Sequence, residues 1–386
     1  MKDIINAMMA LAADEVGCGS GRSDGINISA EDAEKLYVLS SAHDMAHLVG
    51  DIFIRKNFWC SDETRKKFEK AAIAAAFRYE KLFYEQSKIQ SLLNDEGISY
   101  IALKGAVMRQ YYPEPWMRTS CDIDILIHKE DMERTLGKLV ERFGYRVGHR
   151  GSHDVCVFSP GNVELELHYS LIEENRVGTA DKPLENIWQY AKPKDGGAEY
   201  VLSNEMFRYY HIAHMAKHIE YGGCGIRPFL DLKLLNDKQP YDDKKYYELL
   251  NMGGLVQFAE EAEALSEAWF GNGEYSDTAR RLGQYVVGGG VYGTVDNHIA
   301  AQRSVKGGGK IKYAINRIWL PYDALIFHYP SLKGRRALLP LYEVRRWLKL
   351  VFRGGAARSV KELKVNSGIS DEKLRDISEL LNDLGL

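Results

Sequence analysis

Asp122-Ile123-Asp124-Ile125-Leu126-Ile127 is the stretch on which the fold turns. Its two acids stand at i and i+2, a spacing that in a β-strand sends both side chains to one face and Ile123, Ile125 and Ile127 to the other. The aliphatic face belongs in a core. The carboxylates lie about 7 Å apart along such a strand and repel unless a positive charge comes between them. A divalent metal supplies that charge, and Mg²⁺ prefers carboxylate and phosphate oxygens. An exposed strand edge carrying two solvated acids is the plainer account of a bare D-x-D, so the flanking sequence has to decide.

Upstream, the apolar run Ile98–Leu103 reads as a short strand, and Lys104-Gly105 follows it at the start of a helical pattern that reaches Tyr112. Gly105 lets backbone approach a phosphate, a helix N-terminus offers free N–H groups, and Lys104 adds a point charge. Alone, these two could be a turn glycine and a surface lysine. Downstream, Val163-Glu-Leu-Glu-Leu-His168 alternates and sets Glu164, Glu166 and His168 on one face. One of the glutamates can complete a carboxylate triad, although a half-exposed strand with a polar face would look the same. The three elements together are far more specific than any one.

Around this centre the periodicity predicts an α+β fold. Residues 1–16 read as a helix, Ser29 with Asp32 opens a second one running to about residue 57, and a third spans about 62–94 with apolar Ile73, Phe77, Leu82, Phe83, Ile89, Leu92 and Leu93. A small mixed sheet with helices on one side follows, with Gly144 ending the helix over 131–144 and Pro160-Gly161-Asn162 turning between strands 154–158 and 163–168. After about residue 200 the chain reads as nearly all helix. Three regions are expected: N-terminal helices over 1–95, a sheet core over 96–200 and a C-terminal helical domain over 201–386.

Composition sets the bounds. The chain has 386 residues, 45% hydrophobic and 27% charged, which suits a soluble globular protein of two or three modules. Five scattered cysteines without a C-x-x-C pair indicate neither a disulfide framework nor a zinc ribbon, so a reducing cytoplasm is expected. The N-terminal apolar run is broken by Asn6 and ended by Asp14-Glu15, unlike an export signal. No transmembrane segment is expected, since no stretch nears the roughly 18 apolar residues a span requires. Net charge is −3, yet residues 301–360 carry 13 Lys/Arg against Asp323 and Glu343, leaving that segment at +11 and the rest at −14. Its interleaved aromatics (Trp319, Tyr322, Phe327, Tyr329, Tyr342, Trp347, Phe352) would suit an anionic partner, RNA or a membrane surface. A helical domain whose basic face meets the acidic half is the favoured account.

The runs ALKG (102–105), YYPEPWMRTSCDIDILI (111–127) and VELELHYSL (163–171) resemble the uncharacterised nucleotidyltransferase family with a K-G signature, within the DNA polymerase β-like superfamily. The resemblance implies a turn at Leu103-Lys104-Gly105, catalytic and metal-holding acids Asp122, Asp124 and Glu166, and the Glu166-x-His168-aromatic pattern. It covers about 98–170 most specifically, and HYPSLKGRRALLPLYEVRRW (328–347) also looks like the family's tail. Lys104-Gly105 replaces the superfamily's usual Gly-Ser, the gap to Asp122 is longer than usual, and Glu stands where Asp is commoner, which keeps Glu164 in contention. The chemistry implied is two-metal transfer of NMP from an NTP to a hydroxyl acceptor, a small molecule or a protein, with Mg²⁺ or Mn²⁺. Arg118, shortly before the strand, is a candidate phosphate or acceptor contact, or else a surface arginine.

His211, His214 and His218 fall on one helical face. Zinc would need a fourth ligand, and no H-E-x-x-H is present. Relatives of this kind carry a His-x-x-x-His like His214–His218 and a later acid like Asp231. A packing network or acceptor-pocket wall formed with His168, Arg227 and Asp231 is therefore preferred. Gly307-Gly-Gly-Lys310 lacks the first Walker glycine. A non-catalytic nucleotide- or polyanion-binding protein on the same scaffold is the competing reading. It would bind NTP without metal.

Overall fold

Four helices precede the sheet: α1 (Lys2–Val16), α2 (Ala30–Ala42), α3 (Ala46–Arg55) and α4 (Asp62–Asp95). In this computed structural model the described residues are 2–386 except 20, 173–178, 292, 307–314, 316, 317, 321, 323, 324, 327, 328 and 353–363. Ser29 caps α2 by accepting from the Asp32 N–H, as the sequence predicts. The helix expected to run on to residue 57 breaks at Asp44, whose φ of +54° is left-handed. Aspartate tolerates that conformation, and tertiary partners hold it there: the Asp44 carboxylate accepts from Thr119 Oγ1 and Arg227 Nη1, each at 2.7 Å.

Seven strands follow in one mixed sheet: β1 (Tyr100–Ala102), β2 (Asp122–Ile127), β3 (Arg146–Arg150), β4 (Asp154–Phe158), β5 (Glu164–His168), β6 (Ala191–Pro193) and β7 (Glu199–Leu202). Their order is β3-β4-β5-β2-β1-β7-β6. The central strand β2 runs antiparallel to β1 and parallel to β5. Between β1 and β2 lies the short helix α5 (Lys104–Met108), and between β2 and β3 the helix α6 (Met132–Phe143), ended by left-handed Gly144 as expected. Strands β6 and β7 lie beyond the sequence expectation; they are short, and Pro193 is tolerated because β6 is an edge strand.

Period-2 alternation has the expected result. Ile123, Ile125, Ile127, Leu165 and Leu167 enter one core with Leu82, Ile89, Leu92 and Leu93 of α4 and Met132, Leu136 and Leu139 of α6. The acids of β2 and β5 are thereby turned to the opposite face. The fold is α+β with helical flanks, as predicted.

After the sheet come α7 (Asn204–Glu220), α8 (Arg227–Lys238), α9 (Asp243–Gly253) and α10 (Val256–Phe270). The chain divides into two units, Met1–Ala216 with Gly225–Gly283 and Lys217–Cys224 with Gln284–Leu386. The first holds the sheet. In the second, helix Val295–Lys306 packs on helix Asp371–Asp383. Gly307–Lys310 and much of the basic segment 301–360, Phe327 included, lie outside the described residues.

Candidate active site

The β1–β2 ladder extends one residue past β1, where the Leu103 N–H donates to the Asp124 carbonyl at 3.1 Å. The chain then turns away at Lys104, directly beside Asp124. Lys104 holds a left-handed φ of +41°, a conformation that costs a side chain with a Cβ about 1 kcal/mol or more. Its Nζ donates to Asp124 Oδ1 at 2.6 Å and lies 4.0 Å from Glu166 Oε2.

The register of β2 with β5 supplies the rest. Asp124 pairs with Glu166, and Asp122 with Glu164. His168, two residues on, donates from Nε2 to the same Asp124 Oδ1 at 3.0 Å, with Glu166 Oε2 3.4 Å away. Ligand atoms of Asp124, Glu166 and His168 all lie within 4.8 Å of one another. Glu166 has the closer place by register. Glu164 faces Asp122 and the Cys156 thiol.

The charges are strongly coupled. Burial works against an ionised Asp124, but the Lys104 ammonium and the His168 hydrogen bond outweigh it and hold the carboxyl well below its usual range. Burial, and then the Asp124 charge, push Asp122 up to about 6. Burial disfavours the Lys104 cation and the His168 imidazolium as well; the carboxylates overcome this, so both pKa values rise. Three acids thus face one lysine.

That donor set fits a divalent ion. Carboxylate oxygens suit Mg²⁺ or Mn²⁺, and an imidazole nitrogen widens the choice toward transition metals. His168 Nδ1 is buried without a hydrogen-bond partner. A second group, Asp154, Cys156 and Glu166, shares Glu166. There burial, followed by the Glu166 charge, drives the Cys156 thiol up to about 12, so it is a poor thiolate ligand at neutral pH.

Gly105 has a specific neighbour. A Cβ at this position would stand 3.1 Å from Ser120 Cβ and 3.2 Å from its Oγ. The Ser120 hydroxyl accepts from Arg109 Nη2 and donates to the Asp122 carbonyl at 3.2 Å. The missing side chain thus admits the serine that tethers the start of β2. Arg109, buried and beside Arg118, is pulled down to about 10.

Arg118 lies in a separate network. Its Nε donates to both Asp231 oxygens at 2.8 and 2.9 Å, its Nη2 lies 2.7 Å from Oδ2, and the Tyr112 hydroxyl donates to Asp231 at 2.8 Å. Arg227 pairs with Asp44 and Thr119 instead. His211 Nε2 meets the Pro228 carbonyl at 2.9 Å. His214 lies with Tyr210 on α7, their ring centroids 6.3 Å apart, whereas His218 falls in the second unit.

Tyr210 escaped the sequence reading. Burial raises its phenol, which also feels Lys104, Asp124, Glu166 and Asp122. It reaches the site by tertiary packing of α7, which leaves no local signal. Cys156 did leave one: a hairpin turning at 160–162 pairs residues 156 and 166. A cavity of about 400 Å³ lies elsewhere, lined by residues that include Asp3, Asn6, Arg22, Asp32 and Leu36.

Residues 29–271 match the family model described as uncharacterised nucleotidyltransferase. The chain belongs to that family. The match takes in α2–α10 and the whole sheet, while the run 328–347 lies beyond it. No curated protein and no solved structure matches the chain. Among the described residues no helix is long and apolar enough to cross a membrane.

Proposed function

We propose that this nucleotidyltransferase is a Mg²⁺- or Mn²⁺-dependent enzyme of the polymerase β-like superfamily, moving NMP from an NTP to a hydroxyl on a small molecule or protein in the cytoplasm. One observation carries the reading: acids from two paired strands converge with His168, and Lys104 is the lysine that meets them among the described residues. Asp124 and Glu166 would hold the metal, with Asp122 completing the carboxylate set. The bound ion would stabilise charge on the transferring phosphoryl group and acidify the acceptor hydroxyl.

The chain's own groups then divide the work. His168 orients Asp124 through its Nε2 hydrogen bond and keeps it ionised. Lys104 supplies a point charge suited to a phosphate. Gly105 keeps Ser120 close and so fixes the approach to β2. Tyr210 and His214, on the helix that reaches this face, form a wall for the acceptor. Arg118 with Asp231, and Arg227 with Thr119, anchor the segment that leads into β2.

The test is incubation with each α-labelled NTP, Mg²⁺ or Mn²⁺ and cell extract, followed by identification of the labelled product. Metal-dependent labelling that disappears in Asp124→Asn is expected. NTP binding that is indifferent to both metal and Asp124 would replace this reading with a non-catalytic binding protein.

A further inference from the structure

Asp124 Oδ1 accepts from two donors at once, Lys104 Nζ at 2.6 Å and His168 Nε2 at 3.0 Å. Lys104 also reaches toward Glu166, 4.0 Å away. An ammonium so placed lies between the two carboxylates that a divalent ion would bridge. Ammonium and metal ion repel, and within a few ångströms in a partly buried site that repulsion is barely screened. The two compete for these acids, and a metal ion that takes Asp124 Oδ1 drives the ammonium away from it.

The two donors differ in freedom to leave. His168 is 6% exposed, projects from the interior of the sheet and has its ring stacked on His153. Lys104 is 25% exposed on a flexible four-carbon stem. Its backbone turn carries the strain of a positive φ, which fixes where the stem starts but not where its end rests.

We infer that Lys104 is a stand-in cation: it neutralises Asp124 and Glu166 while the site is empty, and every divalent ion that binds must displace it. The inference rests on the metal-site reading above and adds to it a residue that sets how tightly metal is held. Lys104 weakens metal binding in the free protein, and its release delivers an ammonium beside the acids for an incoming polyphosphate. The lysine and the metal alternate on the carboxylates instead of acting side by side.

The experiment is Mn²⁺ titration of the full chain, read by the electron paramagnetic resonance signal of free Mn²⁺, on the native protein, Lys104→Met, Lys104→Arg and Asp124→Asn. Lys104→Met keeps the stem and removes the charge, and binds Mn²⁺ about tenfold or more tighter than the native protein. Lys104→Arg keeps the charge and stays within about threefold of native. Equal or weaker binding by Lys104→Met, with Asp124→Asn still abolishing uptake, overturns the inference and leaves the metal site standing. Absence of Mn²⁺ uptake by all four proteins overturns both. A second measurement needs no variant: millimolar Mg²⁺ should raise the modification of Lys104 by an amine-reactive reagent several-fold in the native protein, measured by mass spectrometry. Unchanged or reduced modification overturns the exchange.

Discussion

Two of the buried charge clusters draw on the short segment from Arg118 to Asp124, and they are built on opposite plans. Ahead of β2 in the chain, Arg118 forms a bidentate pair with Asp231, 10% and 0% exposed, with the Tyr112 hydroxyl filling a further acceptor site. Asp44 is matched by Arg227 and Thr119, with Arg78 3.7 Å away. Each acid there has its own guanidinium. On the face of β2, by contrast, Asp122, Asp124 and Glu166 crowd around Lys104 and His168 with no guanidinium paired to them among the described residues, and Asp122 is left with a carboxyl pushed up to about 6. A balanced buried network needs nothing further. An unbalanced one is completed by a ligand, and strongly perturbed acids gather where chemistry is done.

The largest expected effect tests the unbalanced cluster. Asp124→Asn removes the carboxylate charge on which Lys104 and His168 converge, and NMP labelling should fall about 10³-fold or more. Thermal stability in the absence of metal should fall too, because Lys104 and His168 lose the carboxylate that holds both, so labelling is compared per folded molecule. The next effect tests the balanced cluster and runs the other way. Asp231→Ala strands Arg118 and the Tyr112 hydroxyl in the interior and should cost about 3 kcal/mol or more in urea denaturation. Mn²⁺ affinity of the folded fraction should stay unchanged. Loss of Mn²⁺ binding in Asp231→Ala would erase the distinction between the two clusters.

How much of this was legible depended on the range of the interaction. Strand alternation placed the acids of 122–127 and 163–168 on one face, because the pleat is local. It left Glu164 and Glu166 open, since only the parallel pairing of β2 with β5 sets Asp124 opposite Glu166. Tyr210, Arg109 and Asp44 are brought in by packing between distant segments, and no spacing announces them. Helical periodicity was silent on cover. Along α4, Leu82, Ile89, Leu92 and Leu93 are buried as expected, yet Ile73, Phe77 and Phe83 are 69%, 71% and 52% exposed. A helix pattern shows which residues share a face, but not how far the sheet extends beneath it.

A smaller effect concerns pH. The Asp122 carboxyl rises from 3.8 to about 6 on folding, through burial and then the charge of Asp124. Between those values the folded state binds the proton more tightly than the unfolded chain does. The stabilising contribution is therefore full below about pH 4 and lost as pH rises through about 6. Urea midpoints from pH 4 to 7 without metal should show this loss in the native protein and not in Asp122→Asn. Above pH 6 the ionised carboxylate is ready for a cation, so the Mg²⁺-induced rise in Tm should be larger at pH 7.5 than at pH 5. A native profile that matched Asp122→Asn would mean that the residue is already balanced, as the acids of the other cluster are.

The smallest effect lies at the seam between the clusters. Ser120 links them: its hydroxyl receives Arg109 from the guanidinium side and holds the Asp122 carbonyl on the acidic side. A methyl group at Gly105 would meet Ser120 Cβ at 3.1 Å and Oγ at 3.2 Å, with Arg109 Nη2 3.7 Å away. Overpacking of this degree costs roughly 1–3 kcal/mol, while Gly→Ala in a helical turn returns about 1 kcal/mol. Gly105→Ala should therefore be destabilising by about 1 kcal/mol, a fall in Tm of a few degrees. Because the displaced serine tethers the start of β2, labelling should fall by more than the stability loss alone would produce. If both were unchanged, Ser120 would be giving way freely, and the two clusters would be independent at this point, with Lys104 alone setting the geometry of the acids.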